Sequence, residues 1–149
     1  MPTRFFEDYR PGDVFELGER DVGEAEILAF GRSYDPQYFH TDPEAAKRSI
    51  WGGLVASGWH TVAMFMRLLV DGHMKDSDSI GSPGVDEIRW LKPVRPGDRL
   101  AARLTVLEVT PSKSGAPRGM IRTLGEATNQ RGEVVLTLRA MNLIGTRPA

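Results

Sequence analysis

The sequence predicts an α+β chain in which a curved antiparallel sheet wraps one long buried helix. Three observations carry that expectation. Apolar residues step by two through Ile88/Trp90, Leu100/Ala102/Leu104/Val106, Ile121/Thr123 and Val134/Leu136/Leu138/Ala140, the period of strands with one buried face. Upstream of all of them, the segment from Trp59 to Asp71 is apolar on nearly every face, with Val62, Ala63, Met64, Phe65, Met66, Leu68, Leu69 and Val70. A helix that is apolar all round must be covered by other structure. Strands and helices also fail to alternate, which disfavours a parallel nucleotide-binding sheet.

Taken in order, Pro11-Gly12-Asp13 supplies a turn from which Val14 to Leu17 starts a first strand. The same Arg-Pro-Gly-Asp tetrapeptide recurs at Arg95 to Asp98, before the strand from Leu100 to Val109, as reused turn chemistry and not as a repeat. Between Gly23 and Ser33, Ile27, Leu28, Ala29 and Phe30 suit a short helix. Tyr34-Asp35-Pro36 breaks it, because proline disfavours helical geometry in the residue before it. Thr41-Asp42-Pro43-Glu44 reads as the start of another short helix, Pro43 to Arg48, capped by Thr41 or Asp42. Gly81-Ser82-Pro83-Gly84 is a turn feeding Val85 to Leu91, without the lysine or the strand-to-helix setting of a phosphate loop. Thr110 to Arg118 is a longer loop, and Asn129-Gln130-Arg131-Gly132 a hairpin turn.

Composition narrows the partners. A chain of 149 residues fits one domain over residues 1–149, which buries roughly 70% of its unfolded surface. With 19 Lys+Arg against 20 Asp+Glu, no overall field selects nucleic acid or an anionic membrane, so the expected ligand is a small molecule. The absence of cysteine removes disulfides, thiolate metal sites and cysteine nucleophiles, and fits a cytoplasmic location. Met1 to Tyr9 lacks the apolar run of a signal peptide, and Val62 to Val70 is too short to span a bilayer.

Chemistry concentrates in Tyr34-Asp35-Pro36-Gln37-Tyr38-Phe39-His40, which sets a carboxylate and an imidazole five positions apart in a proline-stiffened stretch. Such a pair suits water activation: His40 is a base near neutrality, and Asp35 can orient a water and return a proton to carbon. The same two residues also suit a turn cap and a half-exposed ring. Ser57-Gly58 opens the apolar helix, where unpaired N–H groups and the helix dipole favour an oxyanion. Ser57 equally suits an N-cap, and Gly58 a packing glycine. The three histidines show no metal-ligand spacing, so no metal is expected. His60 reads as a core residue, and His73 as a cation at a helix end. Trp51, Trp59 and Trp90 suit a pocket wall or a subunit interface.

Tyr34 to Pro43 resembles the catalytic motif of the MaoC-like dehydratases and R-specific enoyl-CoA hydratases. Gly53-Leu54-Val55-Ala56-Ser57-Gly58-Trp59-His60-Thr61 is similar to that family's approach to its central helix, and Trp90-Leu91-Lys92-Pro93-Val94-Arg95-Pro96-Gly97-Asp98 to its strand and turn. With Asn129 to Val135, nearly the whole chain is covered. The resemblance implies a hot-dog fold, a homodimer or higher oligomer, Asp35 and His40 activating water, and the Gly58 N–H binding a thioester carbonyl. It also implies an (R)-3-hydroxyacyl product, with coenzyme A present only as part of the substrate and no other cofactor. The chain departs from the family where many members have Asn-Pro and it has Gln37-Tyr38, and where many have His-Gly and it has Ser57-Gly58. Arg89, Lys92, Arg95, Lys113 and Arg118 are candidate partners for the coenzyme A phosphates. The expected activity is hydro-lyase chemistry on an acyl-CoA thioester; its rivals are a hot-dog thioesterase and a non-catalytic acyl-CoA binding module.

Overall fold

The computed structural model describes Met1–Ala149 as four helices and six strands: β1 (Val14–Asp21), α1 (Glu24–Tyr34), α2 (Tyr38–Thr41), α3 (Pro43–Ala46), α4 (Gly58–Gly72), β2 (Ser79–Gly81), β3 (Val85–Trp90), β4 (Arg99–Pro111), β5 (Arg118–Thr128) and β6 (Val134–Gly145). All pairings between strands are antiparallel, in the order β1-β4-β5-β6, with β2 and β3 both on the outer edge of β6. The sheet curls over α4 in the hot-dog arrangement.

The two Arg-Pro-Gly-Asp segments build the same turn. Asp13 N–H donates to the Arg10 carbonyl and Asp98 N–H to that of Arg95, both at 3.1 Å. Gly12 and Gly97 supply the left-handed residue, at φ of 91° and 88°. In each turn the aspartate carboxylate accepts from the arginine N–H, at 2.8 and 2.9 Å. One turn starts β1 and the other β4, which pair with each other.

Alternation along β4 and β5 buries Leu100, Ala102, Leu104, Val106, Ile121, Thr123, Gly125 and Ala127 against the helix side. From α4, Met64, Phe65 and Leu68 pack into one cluster with Leu100, Ala102, Leu104 and Ala127 and with Leu136 and Leu138 of β6, while Val106 and Ile121 join a smaller one with Tyr9 and Ile144. Composition led us to expect a helix covered on every face, and it is not. Trp59, Met66 and Val70 are 58%, 46% and 40% exposed, so one stripe along α4 stays open while the sheet covers the opposite face. Other differences are local. β1 runs on to Asp21, while the loop after β4 shrinks to residues 112–117 because both flanking strands extend into it. The short strand β2 lacks any periodicity a sequence pattern would register. Helix α3 ends at Ala46, and its cap is Asp42, whose Oδ1 accepts from the N–H groups of Glu44 and Ala45.

His73 is not a cation at a helix end. It is 1% exposed, its Nδ1 accepts from Arg4 Nη1 at 2.8 Å, and its Nε2–H donates to the Tyr9 hydroxyl at 2.8 Å. The Phe15 ring lies 4.2 Å from it. Burial, reinforced by the Arg4 charge and only partly offset by Asp76, lowers its pKa to about 4. The unfolded chain therefore binds more protons than the native one between the ordinary histidine value and about 4, and native stability falls as pH drops through that window. The loss should approach about 3 kcal/mol by the lower end. Urea midpoints at successive pH values test this, and His73→Gln should flatten the slope below neutrality.

Candidate active site

Three pieces of chain converge at one end of the sheet. The first is the end of α1, where the Asp35 N–H donates to the Gly31 carbonyl at 2.9 Å and Pro36 stops the helix. The second is α2, a single turn that carries His40 itself, where the sequence suggested only a loop. The two pack so closely that a Cβ on Gly31 would lie 2.6 Å from the His40 carbonyl oxygen, so the glycine is what lets α1 and α2 meet. The third is the extended segment 54–57 leading into α4. Its Val55 N–H donates to the Phe39 carbonyl at 3.0 Å, and its Ala56 N–H to that of Val94 at 2.8 Å.

These pieces bring the predicted pair together. His40 Nε2 lies 3.3 Å from Asp35 Oδ2. His40 is 6% exposed, and its Nδ1–H donates to the Val55 carbonyl at 2.7 Å. That bond fixes the tautomer, so Nε2 of the neutral ring carries a lone pair facing the carboxylate. Asp35 Oδ1 accepts from Gln37 Nε2 at 2.8 Å, and Oδ2 from the Ser57 hydroxyl at 2.7 Å. Partial burial raises the Asp35 pKa, but the Gln37 and Ser57 donors and the positive charge of His40 when protonated outweigh it and hold the carboxyl below its ordinary value. Asp35 is thus a carboxylate at neutral pH.

Ser57 occupies the N-cap position of α4 without capping it; its hydroxyl is spent on Asp35. The Gly58 N–H has no acceptor within the chain. Asp35, His40 and Gly58 line one cavity of about 400 Å³, whose other walls include Phe39, Trp51, Trp59 and Trp90. Of the basic residues weighed for coenzyme A, Lys92 alone lines this cavity. Arg95 instead donates to the Trp51 carbonyl at 2.6 Å, and Arg89 pairs with Glu87.

His60 stands apart. Its Nε2–H donates to Glu26 at 2.9 Å, its ring stacks on Phe30 at 4.8 Å, and Arg20 holds the same carboxylate at 2.7 Å. Burial pushes its pKa down against the pull of Glu26. The three histidines therefore occupy three separate networks, and no group of three His, Cys, Asp or Glu side chains could hold a metal ion.

Two residues gain importance that sequence reasoning gave them only in part. Gln37 figured as a departure from a motif, yet it holds Asp35; its position two residues after the carboxylate was the available signal. Trp90 figured as one of three tryptophans, and its contact with Gly58 spans 32 positions that no local pattern connects.

Residues 7–129 match the MaoC like domain family model. The crystal structure of the MaoC-like dehydratase from Rhodospirillum rubrum superposes with a TM-score of 0.87 at 44% identity, covering 97% of this chain and 99% of that one. Mesaconyl-CoA hydratase of Cereibacter sphaeroides is 31% identical over 137 residues, 90% of this chain; the match spans 39% of that longer protein. The (R)-hydratase from A. caviae involved in PHA biosynthesis shares the fold, with a TM-score of 0.70 at 20% identity, covering 95% and 99% of the two chains.

Proposed function

The chain belongs to the MaoC-like dehydratase family, and from that premise we propose that it adds water to a 2-enoyl-CoA, or removes it from an (R)-3-hydroxyacyl-CoA. The observation that carries this reading is the Asp35–His40 pair at 3.3 Å, in the same cavity as the free Gly58 N–H. Asp35 Oδ2 and neutral His40 Nε2 are both acceptors, and a reacting water that donates one hydrogen to each satisfies both. Its lone pairs then point away from the pair, toward a substrate β carbon.

In the hydration direction, His40 Nε2 takes a proton from this water as its oxygen bonds to the β carbon. The π electrons move to the thioester oxygen, where the Gly58 N–H and the α4 dipole stabilise the charge. The imidazolium beside the Asp35 carboxylate then returns a proton to the α carbon, so that one water is added. Asp35 orients and balances charge throughout. The proton return passes from Asp35, where residue types alone had placed it, to His40, because a carboxyl held below its ordinary pKa is a poor proton store. The steps are one C–O bond formation and two proton transfers, from water and to the α carbon, with no net oxidation or reduction, and need no cofactor beyond the thioester carrier. The (R) product follows the names of the fold neighbours.

Assembly belongs to the same reading. The open stripe Trp59, Met66 and Val70 on α4, and the half-exposed Val85 and Trp90 of edge strand β3, suit a second copy of the chain. No helix is long and apolar enough to cross a membrane.

Ser57→Ala removes one of the two side-chain donors that lower the Asp35 pKa. The carboxylate form is required, so the acid limb of the pH–rate profile should move to higher pH, with kcat down about tenfold. The proposal itself is tested by following the enoyl-thioester absorbance of crotonyl-CoA and longer or branched analogues, with free thiol assayed in parallel. Absorbance loss without thiol is expected. Thiol release would indicate a thioesterase, and tight binding without turnover a ligand-binding module.

A further inference from the structure

Trp90 is the last residue of edge strand β3, yet its indole reaches across to the start of α4. Its Nε1–H donates to the Gly58 carbonyl at 2.8 Å. The ring lies so close that a Cβ on Gly58 would stand 2.6 Å from Nε1 and Cε2. Trp59 packs edge-on against the same indole, with ring centroids 5.3 Å apart.

Gly58 carries two peptide groups with different tasks. The Ser57–Gly58 peptide presents the N–H assigned above to the thioester oxygen, while the Gly58–Trp59 peptide presents the carbonyl that Trp90 grips. Ser57 in turn is tied by its hydroxyl to Asp35 at 2.7 Å. The Ser57–Gly58 peptide is thus flanked by two ties, the Ser57 side chain to the candidate catalytic carboxylate and the Gly58 carbonyl to an indole from the sheet edge. An oxyanion donor gains its effect from being aimed before the charge develops, and a helix terminus left to fray loses that aim.

We propose that Trp90 is a positioning residue that fixes the direction of the Gly58 N–H through its hydrogen bond to the Gly58 carbonyl. This inference rests on the hydratase reading of the site. Replacing Trp90 by Phe keeps an aromatic ring and removes the donor, so it separates the hydrogen bond from the wall that the side chain also provides. Trp90→Phe should lower kcat about tenfold, with KM changed less than about threefold, because the lost interaction strengthens as charge develops. Trp90→Ala should impair both constants, since it also removes the wall.

The test that reads the aim directly is the carbonyl stretching frequency of isotopically labelled butyryl-CoA bound to the protein. This saturated thioester cannot be hydrated, so the measurement does not depend on turnover. Wild type should shift the band to lower frequency than in water, and Trp90→Phe should return it most of the way. Thermal melting of both proteins checks that the fold is kept. The same band shift and the same kcat in wild type and Trp90→Phe would overturn the proposal, as would the absence of a shift in wild type. Failure of wild type to hydrate any enoyl-CoA would overturn the reaction assigned above, while a band shift lost in Trp90→Phe would still place Trp90 behind the Gly58 donor.

Discussion

His40→Ala and Asp35→Asn should each lower kcat/KM for enoyl-CoA hydration by at least about a thousandfold while the protein stays folded. The large effect follows from shared tasks. His40 is the group that accepts and returns the proton, and Asp35 Oδ2 both orients the water and faces the imidazolium at 3.3 Å. Loss of either member leaves the other without a partner, so the double variant should be little worse than either single one. Near-additive losses would mean that the two act independently. Asp35→Asn also reverses the hydrogen-bonding sense at one position, since an amide nitrogen would face the Ser57 hydroxyl or the Gln37 amide, both donors to Asp35. Steady-state kinetics on the four proteins, with circular dichroism to confirm folding, check this expectation.

The second large effect is on stability. Phe65 is 1% exposed, projects from α4, and lies against Gly125 on β5, where any side chain would collide with its ring. Phe65→Ala removes the ring from a place where the sheet is already as close as a glycine permits, so collapse around the gap is limited. A loss of about 3–5 kcal/mol is expected. That is a large share of the roughly 5–15 kcal/mol typical of a domain, and corresponds to a melting temperature lower by on the order of 10 °C. Calorimetry of the variant against wild type measures it; a drop of a degree or two would mean that the contact between α4 and the sheet is loosely packed.

Much of this architecture was legible because its signals are local. The period-two apolar residues of β4 and β6, the two Arg-Pro-Gly-Asp turns and the apolar run of α4 each specify their element within a few residues. What escaped depends on distant partners. β2 is three exposed residues whose only definition is its pairing to β6. The neutral state of His73 arises from its burial and from the charge of Arg4, 69 positions away. The open stripe on α4 escaped because composition shows that a face is apolar, and not how much sheet there is to cover it.

The candidate site divides in the same way. Asp35 and His40 stood out because their residue types are reactive and their spacing short, and Ser57-Gly58 because of its place before an apolar helix. Ser57 as the partner of Asp35, across 22 positions, and the cap it does not make could only come from three-dimensional geometry. Gln37 illustrates the intermediate case. It sits beside the carboxylate in the chain, but its role depends on α1 ending at Asp35 and α2 beginning at Tyr38, which turns the amide back onto Oδ1.

The most direct test of the account is the fate of the oxygen of water. Incubation of crotonyl-CoA with the protein in water enriched in heavy oxygen, followed by mass spectrometry, locates the atom that His40 and Asp35 deliver. The account predicts one heavy oxygen on the β carbon of a 3-hydroxyacyl chain still attached to coenzyme A. Heavy oxygen in the carboxyl group of a released acid, or crotonyl-CoA recovered unchanged, would contradict it.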